Sequence, residues 1–433
     1  RKYTGQREEL VKNLPHSKVL HTIDEREQIC DNCGSTMVKV GEEFVRTEVQ
    51  FIPAKLKVID HYQETYECRS CRKNGTPYME KAPVPYPPVL HSLASASTIT
   101  WLIHQKFELS IPLYRQEKEW EALGLRLSRA TMSNWLLVVY RDWLVHIVHR
   151  LKLELLKQRY LHIDETHVQV LKEPGRKNTS DSYMWVYCSI RDAVNSIRYF
   201  EYQPGRSGKY PEAFLREYEG YIHTDAYSGY NAVSGVKRCL CYTHLRRAFV
   251  DALPKDIHNS EASKPAEAIL RLNQLFNIES ELEALPPDQK KKERLIREKP
   301  LLEAFWSWAE KSAIGELPKS KLSKAFHYAL NNREGFWNYL EDGNCSISNS
   351  LAENCIRPFV IGRKNWLFSG SPKGAEASAG IYTLVETAKA NGLAPMKYIK
   401  YILSDMPGSA FLEHPEYLDD YLPWNPLVKE FCR

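Results

Sequence analysis

The chain has 433 residues, enough for roughly two to four folding units, because a single hydrophobic core seldom grows beyond about 250 to 300 residues. Its composition, 43% hydrophobic and 26% charged, excludes a chain dominated by disorder. A net charge of +5 and a pI near 8.5 permit a nucleic-acid partner but fall short of the pI above about 9 of a dedicated basic module.

Neither a membrane span nor a secretory signal is predicted. The chain contains no run of about 18 uncharged apolar residues, and its first residues lack the charged, apolar and small-residue succession of a signal peptide. We therefore expect a cytoplasmic protein without a membrane partner. Ten cysteines in a chain of this length do not indicate a disulfide scaffold.

Residues 1–90 are predicted to form a small β module. Residues 45–52 and 57–62 alternate between apolar and polar side chains, as half-buried strands do. The prolines that follow, between residues 83 and 88, cannot continue a helix or a central strand, so they mark a linker.

The same module contains two C-x-x-C pairs, Cys30 with Cys33 and Cys68 with Cys71. Two residues between cysteines let one tight turn direct both thiolates at one ion, and four thiolates satisfy the tetrahedral preference of zinc. The pairs are 34 residues apart, and the two predicted strands could bring the chain back between them. Structural Zn²⁺ is the main interpretation; unrelated buried cysteines and a redox dithiol are the alternatives.

Residues 91–156 have helical periodicity, interrupted near Gly124. Residues 112–123 and 128–137 predict two helices joined by a glycine turn, and Ser128 can cap the second. This arrangement is typical of a helix-turn-helix DNA-binding region, although helical hairpins also serve only as packing units. The side chains that would face a major groove are Arg129, Thr131, Ser133 and Asn134.

An α/β unit is predicted to follow, with the order β-β-β-α-β-β. The predicted strands are residues 160–171, 183–190, 197–202, 221–224 and 237–242, and the helix is residues 211–218. Asp164 lies inside the first strand and Asp225 ends the fourth. An acidic side chain in an apolar strand is costly to bury unless it is paired or binds metal. If those two strands are neighbours, both carboxylates meet at one edge of the sheet.

Two adjacent carboxylates repel each other, and a pair of Mg²⁺ ions would supply the compensating charge for phosphodiester chemistry. A third acidic ligand is then expected from a later helix, and Glu353 is the candidate. Ser350 to Glu353 also matches a capping box, in which Glu353 would only cap its own helix. Glu165 is an alternative acid to Asp164, since neighbouring strand residues point to opposite faces.

The rest of the chain is predicted to be mainly helical. Residues 251–345 are helical and highly charged, and the run at 288–294 is interpreted as a solvated surface. A final helical block is predicted from residue 350 to about residue 403, and residues 404–433 are predicted to form an irregular, proline-rich tail.

Further polar residues surround the predicted strands. Cys239, Cys241 and His244 form a C-x-C-x-x-H cluster without a visible fourth ligand, so a role supporting the active site is favoured over a second metal site. The basic residues that could contact a DNA backbone are His244, Arg246, Arg247, Arg357, Arg363 and Lys364. Trp366 is interpreted as a core residue more than as a base-stacking ring, and His162 and His167 as strand residues.

Taken together, these motifs resemble the insertion-sequence-66 transposases of the DDE superfamily. The resemblance covers almost the whole chain, and its combination of motifs is specific. It is carried by the cysteine pairs and by residues 112–116, 162–165, 223–230, 241–249, 349–353 and 361–370.

The resemblance implies a multidomain α/β protein with a ribonuclease H-like catalytic core at residues 157–250 and 346–403. A helical insertion would occupy 251–345 and explain the 127 residues between Asp225 and Glu353. Asp164, Asp225 and Glu353 would hold two Mg²⁺ or Mn²⁺ ions, while the zinc module and the helix-turn-helix region would hold DNA.

The implied function is DNA transposition, by metal-dependent strand cleavage and strand transfer at the ends of an insertion sequence. The implied partners are double-stranded DNA of the element ends and the target, a second copy of the chain on DNA, and accessory proteins encoded by the element. A nucleoid-associated location in the bacterial cytoplasm follows. Two alternatives are a metal-dependent nuclease without strand transfer and a sequence-specific DNA-binding protein with an inactive centre.

Overall fold

The computed structural model describes residue 12 and residues 16–24, 26, 28, 30–49, 54–254 and 263–433. It separates into two units, residues 1–55 and residues 56–433. In the first unit, the backbone closes a tight turn around the first cysteine pair. The Gly34 N–H donates to the carbonyl oxygen of Cys30 at 2.8 Å, and the φ of Gly34 is +71°, a conformation that favours glycine. The predicted strand at 45–52 lies partly outside the described residues, and residues 45–49 are not a strand.

The second unit begins with a small hairpin. Strands β1 (Thr65–Glu67) and β2 (Met79–Lys81) pair antiparallel, and helix α1 (Arg69–Lys73) lies between them in the chain. The strand predicted at residues 57–62 is not formed. The apolar side chains of this segment are exposed, with Val58 at 83% and Tyr62 at 91%. Among the described residues, no surface packs against them, so the alternating pattern does not lead to a half-buried strand.

Four helices follow, with π-helical turns at His104–Glu108 and Tyr140–Leu144. They are α2 (Ala96–Ile103), α3 (Leu113–Ala122), α4 (Arg129–Val139) and α5 (Val145–Leu156). The predicted break near Gly124 is confirmed, because its φ of +93° ends the first helix of the pair. The predicted cap is confirmed as well, since Ser128 Oγ accepts from the Thr131 N–H at 3.1 Å.

The predicted β-β-β-α-β-β order is confirmed. The elements are β3 (Tyr160–Val170), β4 (Asp181–Ser189), β5 (Arg198–Gln203), α6 (Lys209–Phe214), β6 (Gly220–Thr224) and β7 (Val236–Leu240). Their spatial order is β5-β4-β3-β6-β7. Strands β4 and β5 pair antiparallel, as do β3 and β4, whereas β6 is parallel to both β3 and β7. The result is a mixed sheet with its longest strand, β3, in the middle.

A set of helices lies in sequence between β7 and the final helical block. They are α7 (Tyr242–Asp251), α8 (Lys264–Glu281), α9 (Pro287–Arg297), α10 (Lys299–Ala313), α11 (Lys321–Asn331) and α12 (Arg333–Trp337). Their buried side chains form a second hydrophobic core, which includes Phe249, Leu272, Trp306 and Phe326. The segment just after β7 and the segment just before α13 contact each other, because the Tyr242 N–H donates to the Ile347 carbonyl at 3.0 Å.

The charged run at 288–294 is only partly solvated. Lys291 and Lys292 are exposed on α9, as predicted. Arg294 is a correction, since its side chain is fully buried and forms an ion pair with Glu279 on α8. The run was interpreted as one exposed surface. In a helix, however, every third or fourth residue lies on the same face, and Arg294 lies on the face of α9 that packs against α8.

The final block contains α13 (Ser350–Trp366), the short strand β8 (Phe368–Ser369), α14 (Pro372–Ala390), α15 (Pro395–Asp405) and α16 (Pro426–Cys432). Helix α14 packs along β5, where the Thr383 and Thr387 hydroxyls accept backbone N–H groups of Phe200 and Arg198 at 2.8 and 3.0 Å. These bonds satisfy donors on an edge strand that would otherwise need another strand.

The C-terminal segment is more regular than the predicted irregular tail. It forms α16, and the Ala394 N–H donates to the Cys432 carbonyl at 2.7 Å. Tyr421 and Val428 belong to the main hydrophobic core, together with side chains of α2 to α5 and of the sheet. Its apolar residues therefore pack back onto the helices that precede and follow the sheet. No helix among the described residues has the length and apolar character needed to cross a membrane.

Candidate active site

The sheet brings the two predicted aspartates to the same level on neighbouring strands. Strands β3 and β6 run parallel with His162 opposite His223, and Asp164 and Asp225 each follow two residues later. Asp164 is inside β3, and Asp225 comes directly after β6, where the chain turns and the Tyr227 N–H donates to Asp225 Oδ1 at 2.9 Å.

Asp164 senses the other acidic groups. Burial, reinforced by the carboxylates of Glu165, Asp225 and Glu353, raises the pKa of Asp164 to about 7. One hydrogen bond opposes the shift, because the Glu165 N–H donates to Asp164 Oδ1 at 2.9 Å. Asp164 on β3 therefore interacts with the predicted acidic residues that follow β6 and lie on α13, and its burial together with their charges favours a proton or a cation at the Asp164 carboxylate.

The carboxylate of Glu353 is not used to cap its own helix. Helix α13 begins at Ser350 with Asn349 as its N-cap residue, and no side chain closes this cap. Glu353 Oε1 is buried and accepts no hydrogen bond from the described residues. The capping-box interpretation of this sequence is therefore not realised, and the carboxylate instead faces His244 of α7, 3.7 Å from its Nδ1.

Glu165, the alternative acid, has other partners. Its side chain is only 2% exposed, and its Oε1 accepts from Arg206 Nε at 2.7 Å, while Tyr230 donates to the other oxygen. Arg206 also lies 3.9 Å from Asp225 Oδ2. The guanidinium thus joins Glu165 to the edge of the acidic site and neutralises one of its charges. Sequence reasoning missed Arg206, whose only signal is a basic residue between two glycines after a strand.

Asn349 fixes the start of α13 against the sheet. Its Oδ1 lies 3.0 Å from His162 Nδ1, its Nδ2 donates to the Ile163 carbonyl at 2.8 Å, and its backbone N–H donates to Cys241 Sγ at 3.1 Å. These bonds hold Glu353, four residues later, next to β3 and α7. The sequence analysis did not single out Asn349 as functional.

The two strand histidines are parts of this support. The rings of His162 and His223 stack with centroids 4.2 Å apart, and burial, reinforced by His223, holds the pKa of His162 well below its usual range. His223 accepts the Ser346 N–H at Nε2 and lies 3.2 Å from the Leu161 carbonyl at Nδ1. His167 is exposed.

The C-x-C-x-x-H cluster divides into two groups. Cys241 and His244 gather with Glu353, whereas Cys239 gathers with His223 and Cys345, and in each group the ligand atoms lie within 4.8 Å of one another. Among the described residues, the trio of Asp164, Asp225 and Glu353 is not such a group.

The acidic residues nevertheless fit divalent cations. Carboxylate oxygens are the ligands that Mg²⁺ and Mn²⁺ prefer. Glu353 Oε1 has no hydrogen-bond donor among the described residues, and burial, reinforced by the neighbouring carboxylates, raises the pKa of Asp164. A cation bound between these side chains would relieve both conditions.

Two basic side chains of α7 lie near the acidic site, and they differ in exposure and in hydrogen bonding. Arg247 is exposed and lines a cavity of about 350 Å³ together with Asp225, His244 and Tyr328. Arg246, in contrast, donates to Asn273 of α8 at 2.7 Å. The first is positioned to meet a ligand, whereas the second connects α7 to the helices that follow.

The basic residues of α13 also differ. Arg363 donates to Thr166 Oγ1 at 2.9 Å and so ties α13 to β3. Arg357 and Lys364 are exposed. Trp366 is half-buried against the main core, with its ring centroid 5.4 Å from that of Phe359. The core interpretation of this tryptophan fits these contacts.

The four side chains predicted to meet a major groove share one property. Each is exposed on α4, while Met132, Trp135 and Leu136 of the same helix are buried. The four are Arg129, Thr131, Ser133 and Asn134. Helix α4 therefore packs through one face and leaves the predicted polar face open.

Fold and site together describe an α/β protein with acidic residues in β3 and directly after its neighbour β6 in a mixed sheet. A family model described as "Transposase IS66 family" matches residues 91–377, and one described as "zinc-finger binding domain of transposase IS66" matches residues 27–72. The chain belongs to the IS66 family of transposases and carries its zinc-finger domain. Membership implies an enzyme that binds and processes DNA.

Relatives from Sinorhizobium fredii (strain NBRC 101917 / NGR234) extend this similarity over nearly the whole chain. "Uncharacterized protein y4hP" is 27% identical, over 91% of this chain and 73% of its own length. "Uncharacterized protein y4jD" is 26% identical, over 96% of this chain and 81% of its own length.

Proposed function

We propose that this protein is a DDE-type DNA transposase that cleaves a strand at the end of an insertion sequence and joins the freed end to target DNA. The observation that carries the proposal is the parallel pairing of β3 with β6, in which Asp164 and Asp225 follow a matched pair of residues by the same two positions. Glu353 approaches His244, and His244 lines the same cavity as Asp225. The strand order β5-β4-β3-β6-β7 supports the ribonuclease H-like arrangement that the family resemblance implies.

In this proposal Asp164, Asp225 and Glu353 hold two Mg²⁺ or Mn²⁺ ions. Bound there, the ions would activate the attacking oxygen and neutralise charge that develops on the phosphate. The protein offers no covalent nucleophile in the proposal, so catalysis depends on positioning and charge.

The reaction would proceed in two displacements at phosphorus. Water attacks the phosphodiester at the element end, and the 3′-oxygen leaves and takes a proton to become a hydroxyl. That hydroxyl then attacks a target phosphodiester, and the target 3′-oxygen leaves. In this proposal Arg247 and His244, which line the cavity beside Asp225, would contact the phosphate in both steps.

The catalytic proposal is tested by Asp225→Asn and Glu353→Gln, with the exposed Asp192→Asn as a control of the same chemistry. Loss of a charge-stabilising ligand should lower cleavage of an element-end duplex by about 100-fold or more while DNA binding persists. A second assay supplies a pre-cut 3′ end and plasmid DNA. Joined product supports transposition, whereas cleavage without joining favours a nuclease. Unchanged cleavage in Asp225→Asn would overturn the mechanism.

We also propose that the exposed face of α4 reads the element ends. Arg129→Ala with Asn134→Ala should weaken binding to an element-end duplex more than to random DNA, because base contacts carry the sequence information. Lys364→Ala should weaken binding to both and lower the salt slope by about 1, as expected for one lost phosphate contact. Arg126→Ala, just before α4 and 91% exposed, is the control. Equal loss on both duplexes for the α4 variant contradicts base readout.

The four cysteines Cys30, Cys33, Cys68 and Cys71 are proposed as ligands of one structural Zn²⁺, since the zinc-finger match spans all four. We further propose that two copies of the chain act together on DNA, with accessory proteins from the element, in the bacterial nucleoid. Light scattering with and without an element-end duplex measures the number of chains per duplex. Two chains per duplex are expected, and one chain per duplex would contradict the proposed pairing of two copies.

A further inference from the structure

A soft-ligand cluster lies beside the carboxylate site. Cys241 is the N-cap residue of α7, His244 lies in the first turn of that helix, and Glu353 reaches them from α13. Their ligand atoms lie within 4.8 Å of one another, and His244 Nδ1 is 3.7 Å from Glu353 Oε1. Three side chains from two helices therefore converge on one point.

Hydrogen bonding leaves two atoms of this cluster without partners. At hydrogen-bonding distance, His244 Nδ1 and Glu353 Oε1 have no partner among the described residues; both atoms are buried and face each other as a long ion pair at 3.7 Å. Buried polar atoms are normally satisfied, so two that face each other call for a shared ligand. Cys241 Sγ accepts the Asn349 N–H and stands at a helix N-terminus, where negative charge is favourable.

We propose that Cys241, His244 and Glu353 form a binding site for a zinc-class divalent ion. A thiolate, an imidazole and a carboxylate are the donors that zinc takes, whereas Mg²⁺ avoids sulfur. Zinc bond lengths of about 2.0 to 2.3 Å place tetrahedral ligands about 3.3 to 3.8 Å apart, a range that includes the 3.7 Å between His244 Nδ1 and Glu353 Oε1. Three protein ligands leave the fourth position for water.

This site has a consequence for catalysis, which rests on the proposed function. Glu353 belongs both to the soft cluster and to the carboxylate trio, so an ion held by Cys241 and His244 draws that carboxylate away from Mg²⁺. Zinc therefore inhibits DNA cleavage at low concentration, and more Mg²⁺ restores it.

The neighbouring group of His223, Cys239 and Cys345 is not proposed as a metal site. Both ring nitrogens of His223 already have partners, the Ser346 N–H and the Leu161 carbonyl. Cys239 nonetheless resembles Cys241 closely, being a buried cysteine two residues away. It provides the matched control.

The test measures zinc by mass spectrometry in the full chain after dialysis against dilute zinc and then buffer. Wild type should retain about two equivalents, one in the finger and one here, while Cys241→Ser and His244→Gln each retain about one. Cys239→Ser should match wild type. With Co²⁺ as the probe, the difference spectrum between wild type and Cys241→Ser should contain a thiolate charge-transfer band. Circular dichroism checks that each variant is folded.

Equal zinc content in wild type, Cys241→Ser and His244→Gln would overturn the site, whether or not the chain cleaves DNA. Inhibition is tested separately, as the ratio of cleavage rates with and without zinc in 5-fold increments of Mg²⁺. Wild type should lose rate with zinc and recover it with Mg²⁺, and Cys241→Ser should be far less sensitive. Equal sensitivity of the two proteins would overturn the shared role of Glu353.

Discussion

Arg294 connects the inserted helices to the segment that leads into α13, and its removal should be among the most damaging changes in that region. Its guanidinium donates to both carboxylate oxygens of Glu279 at 2.5 and 2.8 Å. It also donates to the carbonyls of Tyr339, Asp342 and Cys345 at 2.8 to 3.1 Å. The side chain is fully buried, so water cannot replace it.

The size of the effect follows from what Arg294→Met leaves behind. Methionine fills much of the volume but donates no hydrogen bond, so the carboxylate of Glu279, 9% exposed, loses its main partner. Breaking a buried ion pair on one side costs about 3 to 5 kcal/mol. Arg297→Met on the same helix removes an exposed pair with Glu281 and should cost less than about 1 kcal/mol.

Urea unfolding of the full chain, followed by tryptophan fluorescence, measures both variants, because Trp306 and Trp308 report on the inserted helices. The double variant Glu279→Leu with Arg294→Met should recover part of the loss, since it leaves no unpaired buried charge. If Arg294→Met is no less stable than Arg297→Met, the buried pair does not hold these helices as described.

Three further outcomes are expected. Gly380→Ala would bring a Cβ within 2.0 Å of the Tyr140 ring and should cost about 1 to 3 kcal/mol in urea unfolding, whereas Gly374→Ala, with no contact under 3.4 Å, should be neutral. Burial, reinforced by Glu279, raises the pKa of Glu298 to about 8, so the folded chain holds an extra proton and its stability falls as pH rises from about 4.5 to 8. Glu298→Gln should remove this decline in melting temperature, and an unchanged slope would contradict the assignment. Cys68→Ser should release finger zinc to a chromophoric chelator, and full retention would exclude Cys68 as a ligand.

The sequence predicted the sheet well because its strands carry strong local signals. Residues 160–170 are rich in β-branched and aromatic side chains, which favour a strand, and Asp225 follows directly after the strand β6. Residues 57–62 alternate between apolar and polar side chains just as regularly, and yet they do not form a strand. Periodicity states which face a strand would bury, but burial also requires a partner surface, and here none covers Val58 or Tyr62.

The site was only partly predictable, because its polar contacts join distant parts of the chain. Glu353 meets His244 across 108 intervening residues, and Arg206 meets Glu165 across 40. No local pattern encodes such pairs. The motif at 239–244 drew attention to soft ligands, but it did not reveal that two cysteines, so close in sequence, belong to different clusters. The alternative interpretation of Glu353 as a helix cap is wrong for a related reason, since helix α13 begins at Ser350 and the Glu353 carboxylate faces α7 instead.

The hydrogen bond from Tyr242 to Ile347 closes the base of a long excursion of the chain. Between these residues lies a body of helices whose hydrophobic core also contains Tyr221 of β6 and Leu240 of β7. The body is therefore joined to the sheet by packed side chains as well as by its two ends. A shortened chain that linked residue 242 directly to residue 347 would expose this apolar surface of both strands to water.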